Sequence, residues 1–271
     1  MTTSPLATEN RAAPFDAVAG RYDEVFTNSL VGRAQREAVW RRLDGCFQPG
    51  QHILELNCGT GVDALHLAER GVEVLACDAS PRMIEVARQR MRSSPSGDRV
   101  ELCVLEIERI AGLEDRGPFD GAFSNFAGLN CVEDLASVGG RLARLLAPGA
   151  TALLCMAGQA VAWEMLWYLV HGKPAKALRR FQRGGATGRL SEGVAVRVWY
   201  PSVREMTRLF APHFRLQRWQ GIGVTVPPSY LEPLAKRSPG MLHALTRIDQ
   251  VVSAWPVFRS LADHTLLEFQ R

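Results

Sequence analysis

The chain has 271 residues, 46% hydrophobic and 22% charged, a composition typical of an ordinary globular protein. Its formal charge of +4 is too small to require a nucleic-acid partner. The six cysteines form no C-x-x-C pair and have no histidine at zinc-site spacing, which excludes the usual zinc patterns. They suit a reducing compartment, so we expect a cytoplasmic protein with free thiols and no metal.

Residues 1–14 are small and polar and include prolines, so we expect a disordered N-terminus followed by one domain over 15–271. The start lacks the basic and apolar regions of a signal peptide. The most apolar later stretch, residues 160–170, is interrupted by Glu164 and is too short to span a bilayer. We therefore expect no transmembrane helix.

Apolar spacing predicts a first helix over residues 30–47, which Pro49-Gly50 ends. Strand-like runs then alternate with helical patterns at 62–70, 81–91 and 133–146. Near-continuous apolar strands separated by helices indicate a doubly wound α/β sheet, mostly parallel and covered on both faces. Ligands bind such sheets at the carboxyl ends of the strands. The five strand-like runs are HILEL, VEVLACD, VELCVLE, FDGAFSN and TALLCMA.

The alternation stops after TALLCMA. Residues 157–200 form an insertion with an apolar helix, a basic stretch and a strand-like VAVRVWY. Helix, strand, helix and a last strand, HTLLEFQ, follow. We expect this insertion and the segment 224–262 to be lids that select the substrate.

The first strand leads into a loop that fits G-x-G-x-x-[GA], from Gly59 to Ala64, and a helix follows. Asp78 ends the next strand, 19 residues beyond Gly59, where an acid can accept both hydroxyls of a ribose. The pattern favours a nucleoside-binding site. Because the acids Glu55 and Asp63 flank the loop, a pyrophosphate would be disfavoured and a cationic ligand favoured.

The segment from Glu55 to Gly61 and the following VLACDASPRMIEVA resemble the first two motifs of class I S-adenosylmethionine-dependent methyltransferases. The resemblance covers roughly residues 15–156 and continues weakly through the final strands. It implies a Rossmann-like sheet of seven strands with the last one antiparallel. It also implies S-adenosylmethionine as the cofactor and S-adenosylhomocysteine as the product.

The resemblance also implies the cofactor contacts. Glu55 would anchor the loop near the methionine ammonium, and Asp78 would hold the ribose hydroxyls. Tyr22 would close over the cofactor, and Arg33 would meet its carboxylate. Glu106-Ile107 takes the place of an acid and a small residue that read the adenine. The implied set is Tyr22, Arg33, Glu55, Asn57, Cys58, Gly59, Thr60, Gly61, Asp78, Ala79, Met83, Glu106, Ile107, Ser124, Asn125 and Phe126.

Methyl transfer from a sulfonium is an in-line displacement, so the protein chiefly supplies alignment and excludes water. A general base is needed only where the acceptor must lose a proton. The candidates are Tyr22 and His171, although the sequence favours a helix C-terminal cap for His171. His264 opens the last strand, at an end that need not face the site.

The insertion helix around Trp163 and Trp167 is apolar almost all round, which is typical of a buried helix or of the roof of an apolar pocket. In the basic stretch, we expect Lys173, Lys176, Arg180 and Arg183 to share one helical face. Such a face is usually solvated; it also suits an anionic substrate group, an acidic carrier protein or a membrane surface. The substrate-binding candidates are Trp163, Trp167, Tyr200 and Tyr230.

We therefore predict a methyltransferase acting on an O, N or C atom of a small, largely apolar metabolite, such as a prenylated or polyketide-like molecule. Three alternatives stay open at this point: a methyltransferase acting on RNA or protein, a NAD-type dehydrogenase, and a module that binds the cofactor without turnover. Nucleic acid is not expected as a partner, because no aromatic residues interleave with the basic run. A peripheral membrane contact is left open.

Overall fold

The computed structural model describes residues 13–182, 184–191 and 193–271. The expectation of a disordered N-terminus therefore falls almost entirely outside the described residues. At its end, Pro14 begins a turn of 3-10 helix over Pro14–Ala17.

Nine strands are described, and seven of them form one sheet. The nine are β1 (His52–Leu56), β2 (Glu73–Asp78), β3 (Val100–Val104), β4 (Phe119–Ser124), β5 (Leu146–Ala157), β6 (Ala186–Ser191), β7 (Val194–Val198), β8 (Arg215–Ile222) and β9 (His264–Gln270). The sheet order is β3-β2-β1-β4-β5-β9-β8, and β6 and β7 form a separate antiparallel hairpin. Strands β1 to β5 are parallel, and β9 is antiparallel to both β5 and β8. The predicted doubly wound sheet with an antiparallel last strand is confirmed.

Helices cover both faces of this sheet. They are α1 (Ala19–Tyr22), α2 (Leu30–Cys46), α3 (Val62–Glu69), α4 (Pro81–Arg92), α5 (Leu135–Leu145), α6 (Ala162–Val170), α7 (Pro174–Ala177), α8 (Val203–Phe210), α9 (Glu232–Arg237) and α10 (Pro239–Val252). Helix starts follow the expected chemistry: the Ser80 hydroxyl accepts from the Met83 N–H at 3.1 Å, and Pro81 opens α4.

Alternate strand residues fill two hydrophobic cores, one on each face of the sheet. Leu54 and Leu56 of β1 belong to one core, and Ile53 belongs to the other with Phe123 of β4. All four side chains are fully buried, and each such burial stabilises the fold by about 1.5–3 kcal/mol. Strands apolar on both sides are what a sheet covered on both faces requires.

The order of the strands reverses at β1, because β2 pairs with one edge of β1 and β4 with the other. A crevice opens at the carboxyl ends of the strands where such a reversal occurs, and α/β proteins bind ligands there. The loops that follow β1 and β4 flank it, so the glycine-containing loop after β1 lies at this crevice.

The interpretation of α6 as a plainly buried helix is wrong. Leu166 is 61% exposed and Val170 is 74% exposed, whereas the acid Glu164 is 2% exposed. The buried side of α6 is thus its polar side.

The basic stretch does not present one continuous helical face either. Helix α7 ends at Ala177, and a separate 3-10 turn covers Arg179–Phe181. Lys173 and Lys176 are exposed, whereas Arg180 turns toward Glu164. Arg183 lies outside the described residues. None of the helices in the described ranges is long and apolar enough to cross a membrane.

Candidate active site

The loop after β1 makes a sharp turn that depends on left-handed backbone. Asn57, Gly59 and Gly61 have φ values of 56°, 54° and 73°. A Cβ on Gly61 would lie 2.9 Å from Met91 Cε and 3.0 Å from Ala87 Cβ, so glycine lets α3 approach α4 closely. This close packing aims the N-terminus of α3 at the crevice.

Asp78 holds this loop in place. Its two carboxylate oxygens accept from the backbone N–H of Gly59 at 2.9 Å and of Ser80 at 2.8 Å. Burial raises the pKa of Asp78, and these two hydrogen bonds oppose the rise. The carboxylate of Asp78, which is predicted to bind the ribose hydroxyls, is therefore held in place by backbone N–H groups of two loops.

Glu55 has no compensating partner for one of its oxygens. The side chain is 1% exposed, and Oε2 is buried without a hydrogen-bond partner among the described residues. Burial, and next the charge of Asp63, raise the pKa of Glu55 well above its usual value. A buried acceptor of this kind is costly unless a ligand donates to it.

Asp63 differs from Glu55, although the sequence pairs them as acids flanking the loop. Its carboxylate accepts from Arg36 Nη1 at 2.5 Å, from Trp40 Nε1 at 2.6 Å and from Asn125 Nδ2 at 3.1 Å. The protein itself compensates this charge. The charge argument for a cationic ligand therefore rests on Glu55 alone.

Arg36 is a site residue that the sequence analysis missed. It is buried, and its Nε has no hydrogen-bond partner in the described part of the chain. Its guanidinium lies 4.8 Å from the centre of the Phe126 ring. Arg33, the residue assigned to the cofactor carboxylate, is exposed on α2, and its assignment stays a prediction.

The segment before α2 covers the loop. Asp23 accepts from the Thr60 hydroxyl at 2.7 Å and forms an ion pair with Arg90, whose Nε donates to the Thr60 carbonyl at 2.8 Å. Asp16 accepts from the Ser80 hydroxyl at 2.5 Å. These contacts hold the segment that carries Tyr22 against the glycine loop, and the closing of Tyr22 over the cofactor stays a prediction.

Tyr22 keeps its proton. Burial is the largest cause that raises its pKa to about 12, and the charge of Arg36 partly opposes it. At neutral pH its hydroxyl can donate a hydrogen bond but cannot take a proton from an acceptor.

The turn after β4 is strained at the crevice. Phe126 and Ala127 have φ values of 46° and 66°, a left-handed conformation that costs a non-glycine residue on the order of 1–3 kcal/mol. Asn125 Oδ1 accepts from the Phe126 N–H at 2.9 Å and so supports the turn. Ser124 is fully buried, with its hydroxyl 3.5 Å from Asn57 Oδ1. The loops after β1 and β4 thus meet.

The expected adenine contacts divide into buried and exposed ones. Met83 and Ile107 are buried, and Ala79 is half-buried. Glu106 has a side chain 52% exposed and forms an ion pair with Arg109 at 3.2 Å. Its role at the adenine stays a prediction.

A row of four rings lies along the carboxyl edge of the sheet. The centroids of Tyr22 and Phe26 are 5.8 Å apart, those of Phe26 and Phe126 are 5.0 Å apart, and those of Phe126 and His264 are 5.3 Å apart. The last two contacts are edge-to-face, an arrangement that aromatic pairs prefer. The row connects the cover of the glycine loop to the last strand.

His264 reaches this edge because β9 is antiparallel. It pairs with Ala157, the last residue of β5, so the beginning of β9 meets the carboxyl ends of the parallel strands. Its Nδ1 is buried, has no hydrogen-bond partner within the part of the chain that the structure describes, and lies 3.6 Å from Asp263 Oδ2. Burial lowers the pKa of His264, and Asp263 opposes that effect. The imidazole is therefore neutral at neutral pH.

A buried charge network lies beyond His264. Glu164 accepts from Arg179 Nε at 2.9 Å and from Arg180 Nη2 at 2.5 Å. Arg180 also lies 3.7 Å from Asp263, which accepts from Gln35 at 3.2 Å. The network ties α6 and the basic segment to the start of β9.

Three of the four substrate-binding candidates, Tyr200, Tyr230 and Trp163, lie close to this charge network or next to one of its residues. Tyr200 lies 5.0 Å below the guanidinium of Arg180, and burial raises its pKa. Burial, then the charges of Glu164 and Asp263, raise the pKa of Tyr230 to about 12. Trp163 donates to the Thr225 carbonyl at 3.2 Å and so joins the two predicted lids.

Trp167 and His171 lie elsewhere. Trp167 is 43% exposed and its ring centroid is 4.2 Å from that of His171. His171 ends α6 and is exposed, with Nδ1 2.7 Å from the Trp167 carbonyl oxygen. That is the geometry of a helix C-terminal cap. Neither residue lies with the buried groups at the crevice.

The arrangement suits a ligand that is cationic at one point and carries a carboxylate at another. The unpartnered Glu55 Oε2 would accept from an ammonium, and the unpartnered Arg36 Nε would donate to a carboxylate. The glycine loop and Asp78 would provide the nucleoside seat at the ends of β1 and β2. S-adenosylmethionine has these three parts.

Several known proteins are similar to this chain. A family model described as a methyltransferase domain matches residues 53–149. The demethylmenaquinone methyltransferase of Mycobacterium sp. (strain KMS) is 28% identical over 224 residues, which are 78% of this chain and 88% of that protein. The demethylmenaquinone methyltransferase of Paenarthrobacter aurescens (strain TC1) is 30% identical over 200 residues, 69% of this chain and 72% of that protein. The chain belongs to the class I S-adenosylmethionine-dependent methyltransferases.

The methyltransferase fold is also that of the CcbJ methyltransferase from Streptomyces caelestis. The two superpose with a TM-score of 0.61 over 95% of this chain and 97% of that one, at 15% identity. This methyltransferase therefore uses S-adenosylmethionine as its methyl donor. The alternatives of a NAD-type dehydrogenase and of a non-catalytic binding module are set aside, because the curated relatives are named as methyltransferases.

Proposed function

We propose that this methyltransferase transfers the methyl group to an O, N or C atom of a small, largely apolar acceptor, and that the acceptor carries an aromatic ring. The row of rings from Tyr22 to His264 carries this proposal. A flat apolar molecule can pack against ring edges and faces, which contribute about 0.5–1.5 kcal/mol per aromatic pair beyond buried area.

The proposed cofactor seat uses this chain's own buried groups. Glu55 receives the ammonium, Asp78 the ribose hydroxyls and Arg36 the carboxylate, while Tyr22 covers the bound molecule. When bound, S-adenosylmethionine supplies an activated methyl group on a sulfonium. The protein orients the acceptor in line with it and excludes water.

His264 is the proposed base for an acceptor that must lose a proton. Its imidazole is neutral, and Asp263 lies 3.6 Å from Nδ1, so Nε2 is the nitrogen that would take the proton. Asp263 favours the imidazolium that forms. A hydroxylated ring needs such a base when its oxygen or an adjacent ring carbon is methylated, since the hydroxyl proton must leave as the new bond forms.

We further propose that residues 157–200 and 224–262 are the substrate lids of a single domain over 15–271. Trp163 of the first segment donates to Thr225 of the second, and Arg180 of the first approaches Asp263 at the start of β9. A cover anchored in this way would enclose an acceptor beside His264. The basic stretch is then partly structural, because Arg179 and Arg180 hold Glu164.

The relatives support a small apolar acceptor. Both are named for demethylmenaquinone, which is a small molecule with an aromatic ring system and an apolar chain. An acceptor of the same chemical class would fit the row of rings.

A methyl-transfer assay with isotope-labelled S-adenosylmethionine tests the proposal. The probes are reduced demethylmenaquinone with a short side chain, its oxidised form, bulk transfer RNA and denatured bacterial protein. We expect label in the reduced quinone. Labelling of RNA or protein alone would overturn the proposal. The variant His264→Gln should lose transfer to the hydroxylated probe while still binding S-adenosylhomocysteine.

A further inference from the structure

Helix α6 exposes its apolar side chains and buries its one acid. Leu166, Trp167, Leu169 and Val170 are between 43% and 74% exposed. Leu178 and Phe181, which follow in the chain, are 54% and 45% exposed. Exposed apolar residues that adjoin one another on a surface mark a contact with another apolar phase or partner.

Cations border these apolar side chains. Lys173 and Lys176 are exposed, and the Nζ of Lys176 lies 6.0 Å from the centre of the Tyr168 ring. Arg179 lies 5.8 Å from the same ring and has a side chain 39% exposed. We call the six apolar residues and these three cations the apolar–basic face.

No exposed acid opposes these cations within residues 162–182. The one acid there, Glu164, is buried and held by Arg179 and Arg180. The polarity of α6 is thus the reverse of that of a helix packed on a core. An outward apolar stripe bordered by cations is typical of a helix that lies in the headgroup region of a bilayer.

We propose that the apolar–basic face docks on the surface of a bilayer that contains anionic lipids. The apolar side chains would enter the boundary between headgroups and acyl chains, and Lys173 and Lys176 would meet lipid phosphates. Trp167 suits this depth, because tryptophan prefers the membrane–water interface. The inference goes beyond the proposed function, since it does not depend on what is methylated.

A second copy of the chain fits this face less well. A twofold contact brings the same surface of both subunits together, so the cations of both copies would enter one interface to which residues 162–182 contribute no exposed acid. Like charges brought together in an interface cost free energy. An anionic leaflet provides an apolar phase for the exposed apolar side chains and negative charge for the cations.

Vesicle flotation with the whole protein tests the proposal. Vesicles of phosphatidylcholine alone are compared with vesicles that also contain phosphatidylglycerol, at low and at high salt. We expect binding to the anionic vesicles that weakens as salt rises, because the attraction is screened. The variant Val170→Asp should lower the partition coefficient about tenfold or more, since it places a charge at the interface.

The chain supplies matched controls. Val257 is 69% exposed and lies outside the face, so Val257→Asp should bind as the unmodified protein does. The pair Lys173→Glu and Lys176→Glu should abolish the preference for anionic lipid. The pair Arg204→Glu and Arg208→Glu on α8, which makes the same change in net charge, should retain it. Circular dichroism and melting confirm that each variant is folded.

Three outcomes would overturn the proposal. One is the absence of vesicle binding by the folded protein. Another is binding that Val170→Asp and Val257→Asp weaken equally. The third is a dimer in sedimentation velocity that Val170→Asp dissociates, since the face would then be covered by a second copy. Cofactor affinity and methyl transfer in detergent-free solution are measured separately, so a failure here leaves the proposed function testable.

Discussion

Arg36 of α2 and Asp63 of α3 form a buried ion pair, with Nη1 and Oδ2 2.5 Å apart and side chains only 7% and 5% exposed. The pair joins the helix that carries the cover segment to the helix that begins at the glycine loop. Its charges cancel within the protein, which leaves Glu55 as the uncompensated acid at the crevice.

Removing one partner of this pair should destabilise the fold. Asp63→Asn keeps the shape but leaves the Arg36 guanidinium buried without a counter-charge, so we expect a loss of about 3 kcal/mol in the free energy of unfolding. Chemical denaturation measures it. Glu85→Gln, which breaks an exposed pair with Arg88, should change stability by less than about 0.5 kcal/mol. Equal effects of the two variants would show that the buried pair contributes no more than a surface one.

Cofactor binding should release a proton from Glu55. Burial raises the pKa of this carboxyl in the free protein, and an ammonium at Oε2 would lower it. The affinity for S-adenosylhomocysteine, which carries the same ammonium, should therefore rise with pH up to the raised pKa. Titration calorimetry in two buffers of different ionisation enthalpy counts the protons. Glu55→Gln should remove the release, and net proton uptake by the unmodified protein would contradict the assignment.

The same raised pKa has a consequence for stability without cofactor. The unfolded chain ionises Glu55 near pH 4.5, whereas the folded protein does so only at higher pH. The stabilising contribution of the protonated carboxyl is complete below the unfolded value. This contribution is lost as pH rises through the pKa of Glu55 in the folded protein. Glu55→Gln should remove this part of the pH dependence.

Asp78→Ala should weaken S-adenosylhomocysteine binding by about 1.5–3 kcal/mol, through lost charged hydrogen bonds to the ribose. The variant also frees the N–H groups of Gly59 and Ser80, so a stability measurement must accompany the binding titration. Glu106→Ala provides the comparison. An exposed acid that does not reach the adenine would leave affinity unchanged, whereas a loss would support the contact implied by the family pattern. Unchanged affinity in Asp78→Ala would place the ribose elsewhere.

The sheet was predictable, and so was the meeting of the glycine loop with Asp78 in the predicted nucleoside seat, because their signals are local. The glycine loop and Asp78 each follow an apolar strand, and strand, loop and helix succeed one another within about thirty residues, as such a seat requires. The carboxyl ends of parallel strands meet by geometry, so both features reach one crevice without knowledge of the packing.

Arg36 and His264 were missed for reasons that the fold makes clear. Arg36 precedes Val39 by three residues and Leu43 by seven, a spacing that places it on the buried face of α2. Because arginine is charged, a search for apolar periodicity does not count Arg36 as part of that buried face. His264 follows from topology: a last strand antiparallel to its neighbours must begin at the edge where the parallel strands end. Glu164 is buried because Arg180, 16 residues away, donates to it. A contact over that separation cannot be predicted from the periodicity of one helix.

The pH dependence of methyl transfer should identify His264 as the base. The neutral imidazole takes the proton, and burial lowers its pKa below 6.5, so kcat/KM for the hydroxylated probe should fall only as pH drops below that value. The charged groups that face it are Asp263, which raises the pKa, and Arg180, which lowers it. His264→Gln should reduce kcat by roughly 10²–10⁴ and remove this acid limb, while S-adenosylhomocysteine affinity stays the same.

The control for His264→Gln is the same substitution at His171, which is exposed at the end of α6. His171→Gln should keep both the rate and the acid limb of the unmodified protein. If His171→Gln removed the limb, or if His264→Gln kept it, the base would have to be assigned elsewhere. Loss of rate in His264→Gln with the limb intact would mean that His264 only positions the acceptor through Phe126, whose ring it contacts edge to face. If His264 only positions the acceptor, another group takes the proton and the acid limb of the pH profile persists in His264→Gln. The acid limb, and not the rate, therefore distinguishes a base from a positioning residue.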